Sequence, residues 1–390
     1  MGVREDGRLL FCAKCLRTLT AESLSLLGLK GTSTVIFSLA REHGKSPMKP
    51  IAIHHRKGSF SDRWIEYCQA NQVPFVLVDC YSSEIIQRLR DASALLWHIA
   101  HGVATDILMA RHVLNAAEVM RLPVFPNWAA QWHFDDKVAQ KYLLESIGAP
   151  LVPTFAFFDL QSALAWIDST TFPKVFKLRR GSGSRNVRLV RTPKEARRLA
   201  RKAFRFGYKP SGALLDSIVA RKLQKSQQEG RLWSFLRSIP AKVRHRLAHD
   251  FMMGRERGYV YFQDFVPNND HDTRVTVIGK RAFCFRRRVR SGDFRASGSG
   301  QILFDQEAID RECIQIAFGI AQRLGTQSLA FDFVKNEDGQ VQVIEVSFGY
   351  VPKLVYDCGG FWDSDLQWHA GAMRPEDAIL EDMLTVLSNS

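Results

Sequence analysis

Four-residue apolar runs recur between segments of helical spacing from Ile51 onward, and that rhythm leaves few folds open to the chain. Ile51 to His54, Phe75 to Val78 and Ala94 to Trp97 read as buried strands. Ser61 to Ala70, Ser83 to Arg90 and Ala104 to Met120 read as the helices that alternate with them. Strands separated by helices of this length predict a parallel sheet covered on both faces. Pro123 and Pro126 punctuate the end of this unit. No G-x-G-x-x-G follows its first strand, so no dinucleotide is assigned to it.

Beyond it the pattern becomes α+β. Asp135-Asp136-Lys137 opens a helix that Gly148 stops. Thr154 to Phe158, Val175 to Leu178 and Val187 to Val190 read as strands, with helices over Leu160 to Ile167 and Pro193 to Phe206. Strands at 260 to 262, 274 to 278, 282 to 286, 329 to 334 and 341 to 346 surround one long helix over 306 to 324, which predicts an antiparallel sheet. The expected organisation is a poorly structured extension over 1–47, an α/β domain over 48–125, a small subdomain over 126–258 with a basic insertion at about 209–255, and a last subdomain over 259–390.

Composition bounds the function classes. With 390 residues, 46% of them hydrophobic, the chain is globular. The most apolar stretch, Leu24 to Ala40, is broken by Lys30, so no membrane span and no signal peptide are expected. Seven cysteines without regular spacing argue against a disulfide framework, and the lone Cys12/Cys15 pair lacks a second pair for zinc. A reduced, cytoplasmic setting is the expectation. The net charge of +14 is uneven: residues 179–258 hold 22 Lys or Arg against 5 Asp or Glu, an excess of 17. That excess suggests an anionic partner or a solvated helical face.

Four motifs carry chemistry. Phe331-Asp332-Phe333 and Ile344-Glu345-Val346-Ser347 put carboxylates in two apolar strands joined by Asn336 to Gly339. A hairpin sets such strands side by side. Two close carboxylates repel unless a cation lies between them, and hard oxygen ligands suit Mg²⁺. Lys174 to Lys177 leads into Arg180-Gly181-Ser182-Gly183-Ser184-Arg185, an amide-rich loop suited to phosphates though not a P-loop. Gln263-Asp264-Phe265-Val266-Pro267 ends a strand whose backbone can bond a base edge, and Asp272 follows closely enough to hold a ribose hydroxyl. Arg286 to Arg290 and Phe294-Arg295 flank a Gly-containing turn; alternation turns some of these guanidiniums to one face.

In this order the motifs resemble the ATP-grasp superfamily, closest in pattern to bacterial glutathione synthetase and the ribosomal-protein glutamate ligases. The resemblance covers residues 48 to 350 and implies an ATP-grasp fold with an N-terminal α/β domain and two α+β subdomains holding ATP between them. It implies that Lys137 and Lys177, with Gly181, Ser182, Gly183 and Ser184, contact the phosphates. It assigns Gln263, Asp264, Phe265 and Val266 to the adenine hinge and Asp272 to the ribose. Asp332, Glu345 and Ser347 would hold two Mg²⁺, for which Mn²⁺ could substitute, and Arg286 and Arg295 would bind the transferred phosphoryl group or the acceptor carboxylate. The family usually has Glu-x-Asn where this chain has Glu345-Val346-Ser347. The implied activity is a carboxylate–amine ligase that releases ADP and phosphate through an acyl phosphate, acting on small molecules, with a homodimer open and no nucleic acid expected. Similar-looking chains suggest an amino acid joined to a sugar acid or a related intermediate of cell-surface polysaccharide synthesis. Two alternatives stay open at this point: a polyanion-binding protein, from the basic segment, and a noncatalytic ATP-grasp fold, from Ser347. Trp362, Trp368 and His369 are expected either to stack on a sugar or close the site, or to pack the last helix.

Overall fold

The computed structural model describes residues 48–181, 186–209, 248–290 and 292–389, together with one short strand pair near the N-terminus. It divides into two compact units, Met1–Met48 and Lys49–Ser390. In the first, β1 (Gly2–Val3) pairs antiparallel with β2 (Leu9–Leu10). The rest of the expected extension and most of the basic insertion lie outside the described residues.

The second unit holds three sheets. The first is parallel, in the order β4-β3-β5-β6, from β3 (Ile51–His54), β4 (Phe75–Val78), β5 (Ala94–Trp97) and β6 (Val124–Phe125). Between and after them run α1 (Phe60–Ala70), α2 (Ile85–Leu89) and α3 (Ala104–Val119). β3 and β5 are buried throughout, as uninterrupted apolar runs require in a sheet covered on both faces. β6 is a two-residue strand that the sequence reading placed in the boundary.

After α4 (Trp128–Gln131) and α5 (Lys137–Ser146), the second sheet runs β7-β10-β8-β9, all antiparallel. Its strands are β7 (Thr154–Phe157), β8 (Lys174–Lys177), β9 (Arg188–Val190) and β10 (Val260–Asp264), backed by α6 (Leu160–Ser169) and α7 (Pro193–Arg205). Phe176, Val260 and Phe262 bury against these helices.

The third sheet runs β15-β14-β11-β12-β16-β17. It is built from β11 (His271–Ile278), β12 (Arg281–Arg288), β14 (Ser328–Lys335), β15 (Val341–Ser347), β16 (Gly360–Trp362) and β17 (Trp368–Ala370), with β13 (Ile302–Leu303) beside β12. α8 (Arg311–Leu324) covers one face, burying Val275, Val277, Cys284, Phe331, Phe333 and Val346. α9 (Pro352–Tyr356) and α10 (Pro375–Ser388) close the chain.

The C-terminal aromatics pack on one another and on α8 rather than on the last helix. Trp362 pairs with Trp368 across the β16–β17 hairpin, ring centroids 5.4 Å apart, and Arg311 lies over Trp362. Phe361 stacks on His369 at 5.0 Å. A hairpin stapled by cross-strand ring pairs extends the sheet edge. Among the described residues, no helix is long and apolar enough to cross a membrane, and the five described cysteines are free and buried.

Candidate active site

Strand alternation decides which side chains meet. β11 pairs with β12 in the register Asp272↔Arg287 and Arg274↔Phe285, and β14 pairs Asp332 with Arg274 on one side and Glu345 on the other. Cross-strand partners share a face. Asp272, Arg274, Arg287, Asp332 and Glu345 therefore stand on one face, opposite the face that α8 buries. The register slips between Asp332 and Phe333, so that Ile344 is the extra residue of a bulge beside Glu345.

Five sheet residues and two lysines form a charged cluster. Arg274 donates two hydrogen bonds to Asp332, Nε to Oδ1 at 2.7 Å and Nη2 to Oδ2 at 2.8 Å. Arg287 donates to Asp272 at 2.7 and 2.6 Å, and its Nη2 also lies 2.8 Å from Asp332 Oδ2. Burial works against an ionised Asp332, but the two guanidiniums outweigh it and hold the carboxyl well below the usual range. For Asp272 burial wins and the pKa rises. Glu345 sits 3.5 Å from Lys137 Nζ. Burial raises its pKa, yet Lys137 leads an opposing set of charges that leaves the group below its ordinary value.

The lysines arrive from two other elements. Asp136 caps α5 by accepting from the Ala139 N–H at 3.0 Å, which puts Lys137 at the first helical position. The Lys137 N–H bonds the Arg179 carbonyl and its Nζ donates to the Gly181 carbonyl at 2.8 Å, so the helix start is tied to the end of β8. Lys177, buried, donates to Gln263 Oε1 at 2.6 Å across the β8–β10 pair. Gln263 in turn donates to the Ile344 carbonyl at 3.2 Å, joining the second sheet to the bulge of the third. Burial pushes the Lys177 ammonium down to about 8.

The carboxylates and lysines of this cluster line one cleft between the two antiparallel sheets, while Arg274 and Arg287 line the cavity beside it. The cleft wall includes Lys137, Lys177, Gly181, Gln263, Asp264, Phe265, Val266 and Asp272, with Arg295, Asp332 and Glu345. Phe294, also in its wall, meets Phe265 edge to face at 5.8 Å. Of the expected site residues, then, these eleven come together. The Asp264 carboxylate itself is turned to Lys174, 2.5 Å away, and Arg295 is held by Asp293 at 2.6 Å. Ser182, Gly183 and Ser184 lie outside the described residues.

Two expected residues stand apart. Arg286 pairs with Thr273 on the α8 face, lining a separate hollow, with Nη2 3.9 Å from Asp305. A one-residue step along a strand reverses the face, so the guanidinium that reaches the carboxylates is Arg287. Ser347 is on the right face but one alternate step beyond Glu345; its hydroxyl closes a turn with the N–H and carbonyl of Gly349, 3.1 Å to each. Arg274 and Arg287 were missed as site residues. The signal was present, since Asp272 and Arg274 share strand parity with each other but not with Thr273.

A second cavity of about 630 Å³ adjoins the cleft and shares Lys137, Gly181, Ser297 and Glu345 with it. Its far wall is the loop after β5, His98 to His101, at the carboxyl edge of the parallel sheet, where ligands of open α/β sheets bind. Asp106, buried at the start of α3, fixes that loop by accepting from the Ala100 N–H at 2.9 Å and from Tyr81. His101 Nδ1 lies 3.2 Å from Asp135 Oδ1, which also accepts the Gly181 N–H at 2.9 Å.

Both carboxylates offer hard oxygen donors, and Asp332 keeps capacity for another partner beyond its three guanidinium contacts. Among the described residues no three His, Cys, Asp or Glu side chains gather into a metal cage. Mg²⁺ binds through one or two carboxylates completed by phosphate oxygens and water, so Glu345 and Asp332 fit it.

No family model and no curated protein matches this sequence. Solved structures do. A RimK-domain ATP-grasp protein from Sphaerobacter thermophilus superposes with a TM-score of 0.50 at 18% identity, over 86% of this chain and 99% of that one. D-alanine–D-alanine ligase from Bacillus anthracis, solved in complex with ATP, superposes with a TM-score of 0.52 at 13% identity, over 88% and 99%. Together with the parallel N-terminal sheet and the two antiparallel sheets that face each other across the cleft, these matches show that the chain has the ATP-grasp fold.

Proposed function

We propose that the protein is an ATP- and Mg²⁺-dependent carboxylate–amine ligase working through an acyl phosphate. The observation that carries this reading is the cross-strand pairing of Asp332 with Glu345 on the face that meets Lys137 and Lys177. Opposed carboxylates and ammoniums around one cleft have a use if a metal-bound triphosphate lies between them.

In this reading the adenine rests at the Phe265–Val266 hinge and the triphosphate runs toward Lys177 and Lys137, under the loop that begins at Gly181. Asp332 and Glu345 would hold Mg²⁺, which would supply positive charge against the phosphoryl oxygens. With Ser347 engaged by Gly349, any second ion would lean on phosphate oxygens and water. The acid's carboxylate oxygen attacks the γ-phosphorus and ADP leaves; Lys137 and Arg287 stabilise charge on the phosphoryl oxygens without needing to reorganise. The amine then attacks the acyl carbon, the C–O bond to phosphate breaks, and the amine's proton passes to solvent or a neighbouring base. The proposed domain limits are those of the sequence reading, and Asp272 acts by orienting Arg287, since both its oxygens are engaged there.

The direct test is ADP release by a Glu345→Ala variant. It should lose at least about 10²- to 10³-fold in turnover while unfolding at nearly the wild-type temperature. Wild-type ADP release in that variant would remove the metal assignment. The sugar-acid expectation gains no support from the second cavity, whose walls are described next.

A further inference from the structure

The second cavity changes character along its length, and the strand register sets the scale. Asp272↔Arg287, Arg274↔Phe285 and Thr276↔Phe283 occupy successive same-face positions, and such positions are about 7 Å apart. Within one or two steps the wall passes from guanidinium to aromatic carbon. β15 changes in the same sense: beyond Glu345 and Ser347 the chain turns into Tyr350, Val351, Leu354 and Val355, all lining the cavity. Ile302 of β13 joins them.

The cationic end is open to an anion. Arg274 and Arg287 commit Nε and Nη2 to Asp332 and Asp272, which leaves the Nη1 groups as further donors. Lys137 and Glu345 stand at the same end, on the border with the cleft. The facing wall carries the His101–Asp135 pair beside Gly181, where the cavity borders the cleft, and His98. His98 stacks on Phe60 at 3.8 Å and accepts the Phe60 N–H on Nδ1 at 3.3 Å; burial pushes its pKa down to about 3, so it is neutral near pH 7. Thr276 Oγ1 is buried with no hydrogen-bond partner among the described residues and offers one polar contact on the sheet wall.

We propose that this cavity takes a carboxylic acid with a branched-aliphatic or aromatic body. The carboxylate sits at the Arg274–Arg287 rim, and the body lies against Phe285, Ile302, Tyr350 and Leu354. The proposal rests on the ligase reading above and narrows its acid substrate. A volume of about 630 Å³ suits a body well larger than acetate. A sugar acid with its carboxylate at that rim would turn hydroxyls onto the stretch formed by Phe285, Ile302, Val351, Leu354 and Val355, and hydroxyls buried there without partners cost affinity.

The test uses the full-length chain, MgATP, and hydroxylamine to intercept the acyl phosphate as a hydroxamate, so the natural amine is not needed. ADP release is measured with 4-methylpentanoate, 3-phenylpropanoate and indole-3-acetate, and with glucuronate, galacturonate and gluconate. The best apolar acid should exceed the best sugar acid in kcat/KM by at least about tenfold, the discrimination one or two apolar groups supply. Leu354→Asp should lower kcat/KM for the apolar acid by at least about tenfold and Leu354→Ala by less, with MgAMPPNP calorimetry reporting that the cleft is intact. Faster turnover of a sugar acid, or no ADP release with either set while MgAMPPNP binds, overturns the proposal and leaves the nucleotide reading standing. Failure to bind MgAMPPNP would instead remove the ligase reading, and the proposal with it.

Discussion

The two faces of the β11–β12–β14–β15 sheet are built from alternate residues of the same four strands, and they could hardly differ more. One face carries Asp272, Arg274, Arg287, Asp332 and Glu345. The other carries Val275, Val277, Cys284, Phe331, Phe333 and Val346 against α8. The apolar face supplies the burial that holds the strands in register. The charged face needs that register, because five ionisable groups at buried or partly buried positions are tolerable only when each meets a partner of opposite charge. Along Asp272, Arg274, Arg287, Asp332 and Glu345 the proposed chemistry thus lies opposite the α8 core, while the same face farther along the strands buries Phe283 and Phe285.

That division can be broken from either side. The largest effect expected is on stability: Phe331→Ala should cost about 3–5 kcal/mol, measured by denaturant unfolding. If its loss instead fell on turnover per folded molecule, with stability intact, the division would be wrong. Next come the two adjacent arginines. Arg287→Ala should lower kcat/KM for ADP release by about 10²- to 10³-fold, whereas Arg286→Ala should stay within about threefold, as a position away from the reacting groups should. Equal losses would show that the register does not sort their roles.

The smallest expected effect is a pH dependence. Burial lowers the Lys177 pKa from 10.5 to about 8. In the free protein the ammonium is therefore lost as pH rises through about 8, and MgAMPPNP affinity should fall above that pH, by at most about tenfold per unit. For folding the sign is opposite. Between about 8 and 10.5 the unfolded chain binds more protons, so this group's contribution to stability rises with pH across that window. A Lys177→Met variant should flatten both profiles; calorimetry across pH 6.5 to 9.5 checks the first.

Much of this was legible before any coordinates. Strands announce themselves as apolar runs, and β3, β4 and β5 begin and end where the sequence reading put them, but β4, read as buried, is the sheet's edge strand and leaves Val76 and Leu77 exposed. Asp332 and Glu345 were legible because a carboxylate in an apolar strand is costly without a partner. What was not legible depended on parity and on contacts distant in sequence. In a run of three arginines, composition cannot say which one faces the carboxylates; only the pairing of β11 with β12 selects Arg287. Ser347 looked like a ligand by position, but its fate rests on the turn to Gly349. The second cavity draws on His98, Arg274 and Leu354, three segments that no local pattern connects.

A crystal structure with MgAMPPNP tests the central claim most directly. It should show the triphosphate contacted by Lys137 and Lys177 and the ion bonded to a Glu345 oxygen at about 2.0–2.1 Å, with Arg286 still on the α8 side of the sheet. A nucleotide bound elsewhere, or an ion that touches neither Glu345 nor Asp332, would contradict it.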